Sequence, residues 1–263
     1  MDDVGPRRSP HSNEDVSSRA RRGADTGSGG IGRANALEMA GSVAANLFPD
    51  ALAAVLAGSA ATGGATPTSD LDIVILLAGP PAPYRETIRV EGIPVELFIH
   101  TSDSLRYWYE RERSEGRCTL AHMVATGVAL AGAQTESMQA AARRWVAQGP
   151  ERWTAQQLAY RRYALTDALD DLAGASDPDE RDAVAGQVLL MAAELALNLR
   201  GGWQGRGKWL VRQLRASDAH LADDLMSAHR DVVTTGTVTT LVERCEAVLD
   251  EAGGRLTEGF LTQ

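Results

Sequence analysis

Gly58-Ser59-Ala60-Ala61-Thr62-Gly63-Gly64-Ala65-Thr66-Pro67-Thr68-Ser69-Asp70-Leu71-Asp72-Ile73 is the stretch whose reading decides the fold. Ala53 to Ala57 precede it and Leu71 to Leu77 continue it, two apolar runs of the length of buried strands. The segment between them is a small-residue loop. Gly58, Gly63 and Gly64 lack a Cβ, so backbone amides there can approach an anion closely, while Ser59 adds a hydroxyl donor and Ser69 stands at the far end of the loop. A triphosphate suits such a cradle. Asp70 and Asp72 are two apart on a strand, so both carboxylates leave the same face and converge on one point. Carboxylates held that close repel unless a cation sits between them. Mg²⁺, held by carboxylates and substrate phosphate oxygens, answers that requirement, and a pair of such ions would clamp the attacking and leaving oxygens of an in-line displacement. The residues therefore point to nucleotidyl transfer.

A third carboxylate is expected from a neighbouring strand. Pro94-Val95-Glu96-Leu97-Phe98-Ile99-His100 supplies Glu96 inside an apolar strand, where an unpaired charge is costly and calls for a metal, a cation or a substrate proton. The partner strand is Glu86 to Glu91, with Gly92 as the turn. Glu91 is the rival carboxylate, but at a hairpin turn it is solvated, so Glu96 is preferred.

These residues resemble the DNA polymerase β-like nucleotidyltransferases, and within them the aminoglycoside adenylyltransferases of the streptomycin/spectinomycin type. The resemblance runs over roughly Val55 to Thr101 and rests on Gly58 and Ser59, a spacer, the Asp70-Leu71-Asp72-Ile73 alternation, and Glu96 in a Glu-Leu-Phe-Ile-His run. It implies that Asp70 and Asp72 hold two Mg²⁺ ions, that Glu96 is a metal ligand or the base for an acceptor hydroxyl, and that ATP is the donor. It also implies a fold of the α+β class, with a small mixed-sheet nucleotidyltransferase domain followed by an α-helical bundle domain.

Composition bears on the acceptor. A net charge of -9 over 263 residues argues against a non-specific grip on nucleic acid and suits a small cationic acceptor, such as an aminoglycoside-like antibiotic. Cys118 and Cys245 are too few for a disulfide framework. No apolar run reads as membrane-spanning and no apolar core follows the N-terminal arginines, so the expectation is a cytoplasmic protein without a membrane partner.

Residues 1–33 are rich in Arg, Ser, Gly and Asp, with mixed charge and few large apolar groups, and are expected to form a disordered tail. A helix is predicted over Ala34 to Leu47, ended by Pro49, and Pro80 to Pro83 form a rigid connection before the hairpin. Beyond Thr101 the pattern turns helical and no further strand is predicted. The nucleotidyltransferase domain is assigned to 34–145 and the helical domain to 146–263, with helices at about Ala155 to Ala173, Asp179 to Leu199, Gly207 to Arg215, Ala219 to His229 and Val238 to Ala252. Asp167, Asp170 and Asp171 on the first of these are either a solvated face or an acidic floor for amine groups.

Within the bundle, Arg200-Gly201-Gly202-Trp203-Gln204-Gly205-Arg206-Gly207-Lys208-Trp209 stands apart. Four glycines mark an exposed turn, and Lys208 is the only lysine in a chain that otherwise uses arginine. A compact ammonium at a helix start suits the β- or γ-phosphate, where it would help pyrophosphate leave. His100 reads as a structural histidine, Tyr107 to Tyr109 as either a stacking platform or packing, and Arg215 with His220 as flanks of a helix cap. Two further functions fit parts of the pattern: an AMPylating enzyme of the toxin-antitoxin type acting on protein or RNA, and a nucleotide-binding regulatory module without turnover.

Overall fold

In the computed structural model, residues 31–257 are described; most of the tail predicted for 1–33 lies outside them. Helix α1 (Arg33–Leu47) buries Ala36, Ala40, Val43 and Ala44, the spacing of one helical face. Strand β1 (Ala53–Ala57) is buried throughout, and the chain then makes a one-turn helix α2 (Gly58–Thr62) before the loop to β2 (Leu71–Leu76). The sequence reading made all of that connection a loop. Its first residues instead coil, and Gly63 at φ 79 ends the turn.

Strands β3 (Tyr84–Val90) and β4 (Ile93–His100) form the predicted hairpin, turning through Glu91 and Gly92, both at positive φ. Helices α3 (Ser102–Ser114) and α4 (Thr119–Thr126) follow, with a Thr101/Ser104 capping box at the start of α3. A short strand β5 (Val128–Ala131) then pairs antiparallel with β1 before α5 (Thr135–Ala147). This strand corrects the expectation that none follows Thr101. It pairs along the free side of β1, with Val128 and Leu130 packed toward the α1 core and Ala129 and Ala131 exposed, an alternation of four residues too short to stand out in the sequence.

The sheet order is β3-β4-β2-β1-β5, mixed in direction because β2 and β4 run parallel while the other neighbours are antiparallel. One face, through Leu71, Ile73, Ile75, Val95, Leu97 and Ile99, packs on α1. The other, through Val55, Val74 and Leu76, packs on α3, α4 and α5. Asp72 shares this second face with Val74, two residues nearer the start of β2.

The helices α6 (Ala155–Gly174), α7 (Pro178–Arg200), α8 (Lys208–Ser217), α9 (Ala219–Thr235) and α10 (Thr239–Glu251) complete the α+β architecture. Thr154 with Gln157 caps α6, and Asp177 followed by Pro178 starts α7. Leu165, Leu169, Leu172, Leu195, Leu225 and Val248 build their core. By length and composition α7 could cross a membrane, contrary to the expectation from the sequence. Half of its apolar window is nevertheless buried inside the fold. The turn before α8 ties the bundle to the sheet half: Trp203 packs in the α3–α5 core and donates from Nε1 to the Val146 carbonyl at 3.1 Å, and the Gln204 N–H donates to Gly116 O at 2.8 Å.

Candidate active site

The parallel register sets Asp72 beside Glu96 on adjacent strands. Asp70, just before β2, lies on the same side, and one carboxylate oxygen from each of the three falls within 4.8 Å of the others. All three are half-buried. Hard oxygen donors at this spacing are the ligand set that Mg²⁺ or another hard divalent cation prefers, so the cluster could hold a metal ion.

Its electrostatics are those of a site awaiting positive charge. Burial pushes the Asp72 carboxyl up to about 6, repulsion from Asp70 and Glu96 adds to the rise, and the Arg85 and Lys208 cations oppose it. Arg85 is the partner that sequence reasoning missed. Its Nη2 donates to Glu96 Oε2 at 2.6 Å, and its guanidinium lies 4.6 Å from the centroid of the Phe98 ring. Arg85 faces Phe98 across the β3–β4 ladder, so Glu96, two residues along, is its diagonal neighbour on the same sheet face. The alternation of β3 could have revealed this, because Arg85, Thr87 and Arg89 all leave one face.

Gly58 meets the cluster most closely. A Cβ there would stand 2.0 Å from Asp72 Oδ2, and the residue has φ +70. The backbone at the end of β1 is thus pressed against the carboxylate, which any side chain would displace. Ser59 follows, its hydroxyl donating to Ser69 Oγ at 3.2 Å, while Ser69 Oγ accepts the Thr66 N–H at 2.8 Å. These bonds fold the loop back so that both serines lie near the start of β2.

Lys208 is exposed at the first residue of α8, yet its charge reaches Asp72 from the helical half of the molecule. The turn needs glycine at 205, where a Cβ would lie 2.5 Å from the backbone of Trp209. Of the other residues considered from sequence, Glu91 sits at the exposed hairpin turn, outside the carboxylate cluster. His100 is buried, shares a 3.0 Å hydrogen bond between Nδ1 and Ser104 Oγ, and is pushed down to about 4 by burial, so it is neutral at pH 7. Tyr107 and Trp108 are exposed on α3, whereas Tyr109 packs on Trp145. Asp167 and Asp171 are exposed and Asp170 is paired with Arg255 at 2.6 Å, the pattern of a solvated face. Asp218 accepts the Leu221 N–H at the start of α9, and Arg215 pairs with Asp223.

Residues 44–112 match the model of a family described as nucleotidyltransferase domain. That span contains Gly58, Ser59, Asp70, Asp72 and Glu96. No curated protein matches the chain. Among solved structures, a nucleotidyltransferase-like protein from Exiguobacterium sibiricum 255-15 is similar at a TM-score of 0.41 and 13% identity, over 83% of this chain and 73% of that one. A likeness that loose adds nothing to the fold already described. The chain carries a nucleotidyltransferase domain and is a nucleotidyltransferase.

Proposed function

We propose that this nucleotidyltransferase moves AMP from ATP onto a hydroxyl of a small acceptor and releases pyrophosphate. The observation that carries the reading is the convergence of Asp70, Asp72 and Glu96 beside Gly58, within the matched domain. Asp70 and Asp72 would hold two Mg²⁺ ions, with Glu96 as a third ligand or as the base. When bound, such ions neutralise phosphate charge and polarise the phosphorus under attack. The Ser59 and Ser69 hydroxyls and the amides at Gly58 and Ser59 would orient the triphosphate. Glu96 would take the acceptor proton, which requires it to exchange its Arg85 partner for the substrate. Lys208 would stand against the β- or γ-phosphate and stabilise the negative charge that gathers on departing pyrophosphate.

For the acceptor we favour a polyhydroxylated cation, aminoglycoside-like, on the strength of the net charge of -9 and the resemblance in the Glu-Leu-Phe-Ile-His run. The test is a pyrophosphate-release assay against a panel of aminoglycosides with ATP and Mg²⁺. Release with at least one acceptor, abolished in Asp70→Asn and Asp72→Asn, is the expected result. Nucleotide binding without release for any hydroxyl acceptor, protein or RNA would identify a regulatory binder instead. Release only with protein or RNA would move the chain to the AMPylating class.

A further inference from the structure

Helix α8 is held from two directions. Leu210 and Leu214 are buried against Ala193 and Leu197 of α7 and Ala222 of α9, which fixes the helix to the bundle. Its attachment to the sheet half runs through Trp209. The His122 ring of α4 meets the Trp209 indole in a T-shaped contact, with centroids 5.2 Å apart and planes at 78°. The Arg212 guanidinium, three residues along α8, stands 4.9 Å from the centroid of the same indole. Burial holds His122 below the usual histidine range, so at pH 7 its neutral ring brings no second positive charge to the indole.

This ring contact joins the carboxylate cluster to Lys208. On the sheet side, Leu120, Ala121 and Val124 set α4 in one core with Val55 and Val74, and Val74 shares the strand face of Asp72. On the bundle side, Trp209 directly follows Lys208. The turn around them is tightly closed: the Trp209 N–H donates to Arg206 O at 3.0 Å, the Leu210 N–H donates to Gly207 O at 3.2 Å, and Gly205 is pressed against the Trp209 backbone. A turn tied in this way moves as a unit, so the ring contact fixes where the Lys208 stem begins. An exposed ammonium on a flexible stem acts where its backbone is put. The charge of Lys208 reaches Asp72 from there.

We propose that Trp209, braced by His122, is a positioning residue that sets Lys208 against the β- or γ-phosphate of the donor nucleotide. The inference rests on the nucleotidyl-transfer reading above. Neither ring touches the nucleotide; both act through Lys208. Their loss should therefore be felt by a nucleotide that carries β- and γ-phosphates and not by one that lacks them.

The test is isothermal titration of the full chain in Mg²⁺ with ATP and, separately, with AMP. Trp209→Ala and His122→Ala should each weaken ATP binding by about two- to tenfold, the scale of one aromatic pair, with AMP binding unchanged. Trp209→Phe keeps a ring for His122 and should retain the wild-type ratio of ATP to AMP affinity; this variant and His122→Ala decide the matter if Trp209→Ala does not fold. Lys208→Ala should lower the same ratio, and adding Trp209→Ala to it should cost nothing more, because the two act as one unit. Equal loss of ATP and AMP binding in the ring variants, no loss of either, or an ATP loss that persists once Lys208 is already alanine, overturns the positioning role and leaves the triphosphate reading standing. An unchanged ratio in Lys208→Ala removes Lys208 from the bound triphosphate, and the positioning role falls with it while the carboxylate site stands. Wild-type protein that binds neither nucleotide overturns the proposed function and this inference together.

Discussion

Replacing Asp72 by Asn should make the metal-free protein more stable while destroying its activity, because the carboxylate that would serve the metal is a burden on the fold. Burial and the charges of Asp70 and Glu96 push the Asp72 carboxyl from 3.8 up to about 6. The difference of about two units corresponds to about 3 kcal/mol at 1.36 kcal/mol per unit. Asp72 retains some contact with water, so on the order of 1–2 kcal/mol survives screening. The sign follows from which state holds the proton. As pH rises, the unfolded chain releases it near 4 and the folded chain only near 6. The folded state therefore binds more protons in that window, and wild-type stability falls from about pH 4 to pH 6, then stays reduced above it. Asp72→Asn removes the loss.

Calorimetric melting in EDTA at pH 8 should show the variant about 2–8 °C above wild type, taking 2–4 °C per kcal/mol for a chain of this size. At pH 4 the gap should close. Added Mg²⁺ should reverse the order, since a ligand at a hundred times its dissociation constant stabilises wild type by about 2.7 kcal/mol and the variant lacks the ligating charge. An Asn variant that melts at or below wild type in EDTA at pH 8, or one that keeps its Mg²⁺ response, would refute the account of Asp72 as a desolvated, repelled carboxylate.

Gly58→Ala should cost on the order of 1–2 kcal/mol in denaturant unfolding from its positive φ alone. It should also lower turnover about 100-fold, because a Cβ must displace Asp72 Oδ2; wild-type rates in this variant would separate Asp72 from the chemistry. Glu96→Gln should reduce turnover by about 10²- to 10⁴-fold with little change in ATP affinity if Glu96 is the base, and a large effect from Glu91→Gln instead would transfer the role. Arg85→Ala withdraws a cation that lowers the Asp72 proton affinity, so the pH at which Mg²⁺ binding reaches half its plateau should move upward, and an unmoved profile would show that Arg85 acts on Glu96 alone. Lys208→Ala should weaken ATP binding, slow AMP transfer or do both, while AMP binds as before; equal loss of ATP and AMP binding would remove Lys208 from the triphosphate.

What could be read from the residues alone was whatever has a local cause. Helices α6 to α10 were legible because leucine and alanine recur at helical spacing, with explicit caps at Thr154 and Asp177 among them. Strands β1 and β2 were legible because burial on both faces makes continuous apolar runs. Strand β5 was not, since Val128 to Ala131 is only four residues between Gly127 and Gly132 and is a strand because β1 offers it an edge. The same division runs through the site. Asp70 and Asp72 share a face by strand geometry alone; Glu96 was expected from its charge inside an apolar strand, and it reaches them through the parallel pairing of β2 with β4, a register that the sequence does not specify. Gly58 could be recognised as permissive, but the carboxylate pressed against it could not, and Arg85 became a partner of Glu96 only once the hairpin register was known. The side chain of Gln204 belongs to the same class. Its sequence neighbours mark a glycine-rich turn, while its amide hydrogen goes back to the Glu194 carbonyl on the preceding helix α7. Side chains whose partners lie on other elements thus set the charge on Asp72 and the pairing of Glu96, so the decisive substitutions are those that break one such pair and leave the local structure intact.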